Sequence, residues 1–216
     1  PLYTVTGFQS ALSIILVIAF AMRKWGGYEK YFGISVFWSA SKIQIGLTLL
    51  WTYHLFAFFI TLWYGRMELE QNILRYLMFE SYSWIFWLNV IFIFLIPFWI
   101  LVWNPIRKTA WGPALAGISI LIGNLLFQIR IFVGAFNAGD IYHLGLFRVP
   151  PPVFPDLWDI FIVLGGIGLV GFIYLMGTRI LPALSVWEVK EGAMYQKMDT
   201  LYRGKYLVSA KPEKIG

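Results

Sequence analysis

The stretch LLWTYHLFAFFITLWYGR, residues 49–66, decides the fold. It is apolar or aromatic almost throughout, and its apolar character reaches back to about residue 40. A run of this length crosses the hydrocarbon core of a bilayer, which takes about 20 helical residues at about 1.5 Å each. The run closes on Trp63, Tyr64 and Arg66, an ending that marks a membrane–water boundary. At mid-run it carries Tyr53 and His54, and a titratable imidazole in such surroundings asks for a reason.

The pattern recurs along the chain. Five membrane helices are predicted: A over about residues 5–22, B over 40–64, C over 82–103, D over 111–135 and E over 157–180. Gly26-Gly27 breaks the chain after A, Asn104-Pro105 after C, and Pro150-Pro151-Pro152 before E. Trp25, Trp38, Trp63, Trp84, Trp103, Trp111, Trp158 and Trp187 fall near span ends, as an interfacial belt requires. The fold class is therefore all-α, a polytopic membrane protein with residues 1–186 as the transmembrane helical bundle and 187–216 as a basic tail.

Composition agrees. Of 216 residues, 59% are hydrophobic and only 13% charged, against about a quarter in a soluble domain. The absence of cysteine excludes disulfides, thiolate-held iron–sulfur clusters and covalent c-type haem. Two histidines, His54 and His143, fall short of the four that two bis-histidine haems require. The net charge of +6 follows from topology and implies no nucleic-acid partner. Arg23, Lys24, Lys30 and Lys42 cluster at the A–B turn, Arg107 and Lys108 at the C–D turn. Arg179, Lys190, Lys197, Arg203, Lys205, Lys211 and Lys214 follow E. The opposite loops hold Arg66, Arg75 and Arg148, offset by Glu68, Glu70, Glu80, Asp140 and Asp156. The positive-inside rule then places the C-terminus in the cytoplasm. The start at Pro1, with no cationic segment before the first apolar run, is unlike a signal peptide and suits a chain that begins partway through a longer protein.

Polar residues inside the spans are the candidate functional groups. Ser41, Gln44, Thr48 and Thr52 recur at three- or four-residue spacing and share a face of B. His54 points elsewhere, with Thr61 two turns on, and Tyr53 is expected on a different side. On D, Asn124 and Gln128 stack one turn apart with Arg130 beyond them; C carries Glu80, Tyr82 and, deeper, Asn89. Interhelical hydrogen bonding accounts for Gln44, Thr48 and Asn124 without any chemistry, and Lys42 accounts for itself by snorkelling. Arg130 is different, because a guanidinium keeps its charge and needs a lasting partner. Pro97 removes the donor for the carbonyl of Ile93 and is expected to kink C. Gly166, Gly168 and Gly171 spell GxGxxG, but inside a membrane span they serve helix packing and not dinucleotide binding.

Three stretches together resemble the NrfD/PsrC family of integral membrane subunits, found in polysulfide reductase and alternative complex III. They are PLYTVTGFQSALSIILVIAF, SKIQIGLTLLWTYHLFAFFITLWYGR and FPDLWDIFIVLGGIGLVGFIYLMGTRILPALSVWEVKEG. The last joins a Pro-x-x-Trp start, a glycine-rich helix, an Arg-x-x-Pro exit and Trp187-Glu188-Val189-Lys190, in that order. The resemblance is to the C-terminal half of the family, with A–D as a four-helix bundle and E as the final helix. It implies a subunit of a quinol-linked electron-transfer complex in the bacterial inner membrane, with the alternative complex III type favoured over polysulfide reductase. Quinone or menaquinone would lie toward the outer half. Haem and iron–sulfur centres would reside only on partners: an iron–sulfur or molybdopterin-like subunit, a cytochrome c subunit and a homologous membrane subunit, in a lipid setting.

By that resemblance Arg130, Glu80 and Tyr82 are quinone-proximal. Ile129 stands where compared members often carry an acid, so Glu80 is the expected carboxylate partner of Arg130. His54, Thr61, Lys42, Gln44, Thr48, Asn124 and Gln128 are the expected proton pathway, with His54 as acceptor and donor near neutral pH. The D–E loop, residues 137–156, is expected to dock a redox partner through Tyr142, Phe147 and Phe154. Two other readings use the same residues: one half of an ion or solute transporter, and a passive anchor.

Overall fold

The computed structural model describes residues 1–29, 31–137 and 151–180, together with Trp187, Lys190, Glu191, 198–201 and 204–207. Lys30, Asp140, Tyr142, His143, Phe147, Arg148, Pro150, Pro182, Glu188, Val189, Lys197, Arg203, Lys211 and Lys214 lie outside the described residues, as does the Glu68 side chain. The chain forms two compact units, Pro1–Phe154 and Pro155–Gly216.

The first unit contains α1 (Leu2–Trp25), α2 (Ile34–Gly65), the short α3 (Glu68–Leu74) and a π turn over Arg75–Phe79. It continues with α4 (Ser83–Val90), a second π turn over Ile91–Leu95, α5 (Ile96–Val102), the single-turn α6 (Asn104–Arg107) and α7 (Trp111–Asn137). The second unit holds α8 (Leu157–Ile180) and an antiparallel hairpin of β1 (Met198–Leu201) and β2 (Gly204–Leu207), in which Met198 faces Leu207. Five helical stretches are long and apolar enough to span a membrane: Leu2–Trp25, Ile34–Gly65, Ser83–Val102, Trp111–Gly134 and Leu157–Ile180. The protein is thus an all-α multi-pass membrane protein, apart from the small hairpin in its basic tail.

Helices α1 and α2 run past the expected limits of A and B. Apolarity stops at the interface, but helix does not, and Phe37, in the added turns of α2, is fully buried with Leu16 and Ala19 of α1. Helix α7 is the centre of the first unit and packs on α1, α4 and α5. Val5, Trp51, Ile93 and Phe127 bring four helical stretches into one cluster.

The unit is inside-out relative to a soluble bundle. Ile14, Ile15, Ile43, Leu49, Leu50, Phe56 and Phe58 are exposed, whereas Gln9, Ser13, Ser41, Gln44, Thr48, Asn89 and Arg130 are buried. Lipid solvates the first set as well as a protein core would, so association rests on close packing and interhelical hydrogen bonds.

Pro97 shapes the third span differently from the simple expectation. The amide of Ile96 donates to Ile91 one residue further back than in an α-helix. In that registry the carbonyl left without its donor is Phe92, because its partner would be the nitrogen of Pro97. Ser119 of α7 fills the gap, its hydroxyl donating to Phe92 O at 2.7 Å. Gly123 lets the widened turn approach α7: a Cβ there would lie 2.5 Å from Ile93 Cγ1 and 2.9 Å from Ile93 N.

Candidate functional site

Four polar residues of α1, at helical spacing, set the interior. Thr6 and Ser10 direct their hydroxyls to the carbonyls of Leu2 and Thr6, at 2.9 Å each, and Ser13 to Gln9 at 2.7 Å. The free lone pairs of Ser10 and Ser13 then meet the neighbouring helices. Gln9 Nε2 donates to Thr48 Oγ1 at 3.1 Å, and Gln44 Nε2 to Ser13 Oγ at 3.0 Å. On the other side, Asn124 Nδ2 donates to Ser10 Oγ at 2.6 Å. Asn89 Nδ2 donates to the carbonyl of Gly123 at 2.7 Å, tying α4 to α7.

Gln9, Gln44, Asn89 and Asn124 each use the amide nitrogen and leave the oxygen over. Gln9 Oε1, Gln44 Oε1, Asn89 Oδ1, Asn124 Oδ1 and Gln128 Oε1 are buried without a protein donor among the described residues. Trp51 Nε1 and Arg130 Nε are buried without an acceptor among the described residues. Buried polar atoms of this kind are ordinarily satisfied, often by ordered water. The interior of the first unit therefore carries a set of buried acceptors and donors of the kind that ordered water satisfies.

Arg130 stands at one end of this series and is only 2% exposed. Its guanidinium carbon lies 5.0 Å from the ring centre of Phe86 and 5.7 Å from that of Phe127, and Nη1 reaches the carbonyl of Leu77 at 3.5 Å. Ring faces and a carbonyl stabilise a cation but do not neutralise it. The expected pairing with Glu80 is not found: Glu80 is bound to Arg75 at 2.7 Å, the only ion pair among the described residues. Arg75 lies five residues before Glu80 across the π turn and reaches it locally, whereas Arg130 is turned inward between rings.

Above Arg130 sits a tyrosine pair. Tyr76 and Tyr82 are buried and meet edge to face at 5.3 Å. Asn137 Nδ2 donates to Pro151 O at 2.8 Å and to the Tyr76 hydroxyl at 3.0 Å, with the Tyr82 hydroxyl at 3.3 Å. The amide of Val153 donates to the Tyr82 hydroxyl at 3.3 Å, and Phe154 stacks on Trp84. The described end of the D–E loop is thus fixed to the bundle through Tyr82. Burial and the neighbouring Tyr82 push the Tyr76 hydroxyl up to about 12.

The structure brings together Gln44 and Thr48 with α1, and Asn124 with α1. Gln128 and Arg130 lie near them on α7. It does not join His54 to this set. His54 is half-buried, its Nδ1 lies 2.8 Å from its own helix's Leu50 carbonyl, and Tyr53, expected elsewhere, meets the imidazole edge-on at 5.5 Å. Thr61 is exposed and donates to its own Ala57 carbonyl at 2.8 Å. Lys42 is exposed and lies over Trp38, away from the buried Ser41–Gln44–Thr48 face. Gln9 and Ser13 are the members that the sequence reading passed over; their signal was a polar residue every three or four positions within the apolar run of α1.

No protein-family model matches this sequence. No curated protein matches it either.

Proposed function

We propose that this chain is an integral membrane subunit of a quinol-linked electron-transfer complex, of the NrfD/PsrC kind its sequence resembles and nearer to the alternative complex III type. In this reading it works in a bacterial inner membrane beside iron–sulfur or molybdopterin-like, cytochrome c and homologous membrane subunits, which hold the metal centres. The observation that carries the reading is Arg130: a permanent cation, buried against Phe86 and Phe127, with Nε unpartnered and no carboxylate beside it among the described residues. A quinone headgroup suits such a place, since its oxygens accept from a guanidinium and its ring stacks on aromatic side chains. Tyr82 and Glu80 lie on the same side of the unit and line the approach. Quinol oxidation releases protons as electrons leave, and the side-chain amides of Gln128, Asn124, Gln9 and Gln44 with the hydroxyl of Thr48 offer them a route.

The test is quinol-dependent turnover of the complex purified from its native membrane. Arg130→Gln should raise the quinol KM or lower kcat by about tenfold or more, with Arg130→Lys intermediate. Wild-type kinetics in an assembled Arg130→Gln complex, or purification without any redox subunit, would sink the proposal. A second reading, half of a transporter, draws on the π turn before Pro97, since helices interrupted in mid-span often line transport sites. Solute or ion flux by the isolated chain in liposomes would favour it.

A further inference from the structure

At the end of the first unit opposite Arg75 and Glu80, two ammonium groups gather on one tryptophan and a guanidinium stands next to one of them in the chain. Lys42 Nζ lies 3.3 Å from the ring centre of Trp38, and Lys108 Nζ lies 6.0 Å from the same centre. Lys42 lies in the third turn of α2 and Lys108 caps α6, two helices in contact, and Arg107 precedes Lys108 at the end of α6. None of the three has a carboxylate within ion-pair distance among the described residues.

Two ammonium groups on one ring repel each other, and the ring's electron density offsets only part of that cost. Two donors in the same place are also left over. Among the described residues Trp38 Nε1 and Arg107 Nε are buried without an acceptor, and the side-chain bond of Arg107 is a long one, 3.4 Å, to Asn104 Oδ1. The neighbouring cations differ. Arg23 donates to the carbonyls of Glu29 and Phe32, and Lys24 lies over Phe20 and Trp25 with no unpartnered buried donor beside it. Topology explains why this end of a membrane bundle is basic, but it does not explain why these charges converge while donors stay open.

We infer that Lys42, Lys108, Arg107 and Trp38 form a binding site for the headgroup phosphate of an anionic phospholipid. A phosphodiester brings one negative charge and several acceptor oxygens, which matches two ammonium groups and two unfilled N–H donors. The lipid, and not a free anion, fits because Lys42 belongs to a membrane-spanning helix whose adjoining surface is apolar. Ile43, Leu49 and Leu50 are exposed along α2 below the charges, where acyl chains would lie. The inference is independent of the proposed electron-transfer role.

Native mass spectrometry of the protein released from mild detergent tests it, with phosphatidylglycerol, phosphatidylcholine and inorganic phosphate as probes. Phosphatidylglycerol should be retained on the protein in preference to phosphatidylcholine. Lys42→Gln with Lys108→Gln should weaken that retention by about tenfold or more, and Lys24→Gln should leave it unchanged. If the double variant does not assemble, Lys108→Gln alone, at an exposed position, should weaken retention in the same direction. Equal retention of both lipids, or undiminished phosphatidylglycerol on the variants, would overturn the site. Competition by millimolar inorganic phosphate as effective as by the lipid would overturn the lipid assignment.

Discussion

Gln9 and Thr48, 39 residues apart, are joined side chain to side chain within the membrane-spanning part of the bundle: Gln9 Nε2 donates to Thr48 Oγ1 at 3.1 Å. The same hydroxyl donates to the Gln44 carbonyl at 2.9 Å, so its lone pair is held toward α1 by its own helix. Thr48→Val keeps the shape and strips the acceptor, leaving a buried carboxamide unsatisfied. It should cost about 1 kcal/mol, and a cycle with Gln9→Leu should show coupling of about 0.6 kcal/mol, the usual size for such pairs in membranes. Reversible unfolding in mixed detergent micelles measures both. Strict additivity of the two substitutions would mean that the contact contributes nothing.

Gly123 is required by an approach of backbones. Its Cβ would fall 2.5 Å from Ile93 Cγ1, 2.9 Å from Ile93 N and 3.0 Å from Phe92 Cβ. Gly123→Ala should therefore destabilise by about 1–3 kcal/mol despite alanine's better helix propensity. Removing the γ carbons with Ile93→Ala should offset only part of the loss in a double-mutant cycle, because the Ile93 backbone nitrogen still blocks the methyl group. Thermal stability of the single and double variants decides this, and a Gly123→Ala protein as stable as wild type would refute the close contact.

How much of this was legible follows from what each residue depends on. The five spans were readable because lipid imposes length and apolarity on every crossing, and the Ser41–Gln44–Thr48 face was readable because helical spacing fixes it. Partners were not. Glu80 and Arg130 are on neighbouring elements, but the π turn over Arg75–Phe79 brings Arg75 to Glu80 first, and no pattern in the sequence marks a π turn. His54 looked like an interior group because the run around it is so apolar. In the structure Leu50, Tyr53, Phe56 and Phe58 around it are exposed, and one imidazole nitrogen lies against the Leu50 carbonyl. The short α3 and the tail hairpin carry too few apolar residues for periodicity to reveal them.

Tyr76 predicts an alkaline limit to stability. Its hydroxyl ionises at about 12 in the folded protein, against an ordinary 10.0, chiefly through burial and then through Tyr82. A raised value means that the folded state holds the proton more tightly than the unfolded chain. The resulting stabilisation is complete below pH 10 and is lost as pH rises from about 10 toward about 12. Tyr76→Phe should therefore flatten the fall in stability over that window while leaving a constant offset from the lost bond to Asn137. Denaturation midpoints measured from pH 8 to about 11 test it, and parallel curves for the two proteins would count against the assignment.

Ser119 and Pro97 should behave as a coupled pair although they make no contact that the sequence suggests. The π turn passes the amide of Ile96 to Ile91 and leaves Phe92 O facing a nitrogen without hydrogen, and Ser119 supplies the missing donor at 2.7 Å. Ser119→Ala removes it and strands a carbonyl inside the bundle, at a cost of about 1–3 kcal/mol. Pro97→Ala restores a backbone N–H at the position that can serve the same carbonyl or draw the turn back to α-helical registry. With Pro97→Ala in place, Ser119→Ala should cost less than half as much, because the backbone no longer depends on a neighbouring helix for its donor. A double-mutant cycle in detergent gives the coupling directly, and amide hydrogen exchange over Ile91–Phe98 shows whether the turn has changed registry. An undiminished cost of Ser119→Ala in the Pro97→Ala background would show that the hydroxyl holds α7 to the third span for a reason other than the proline.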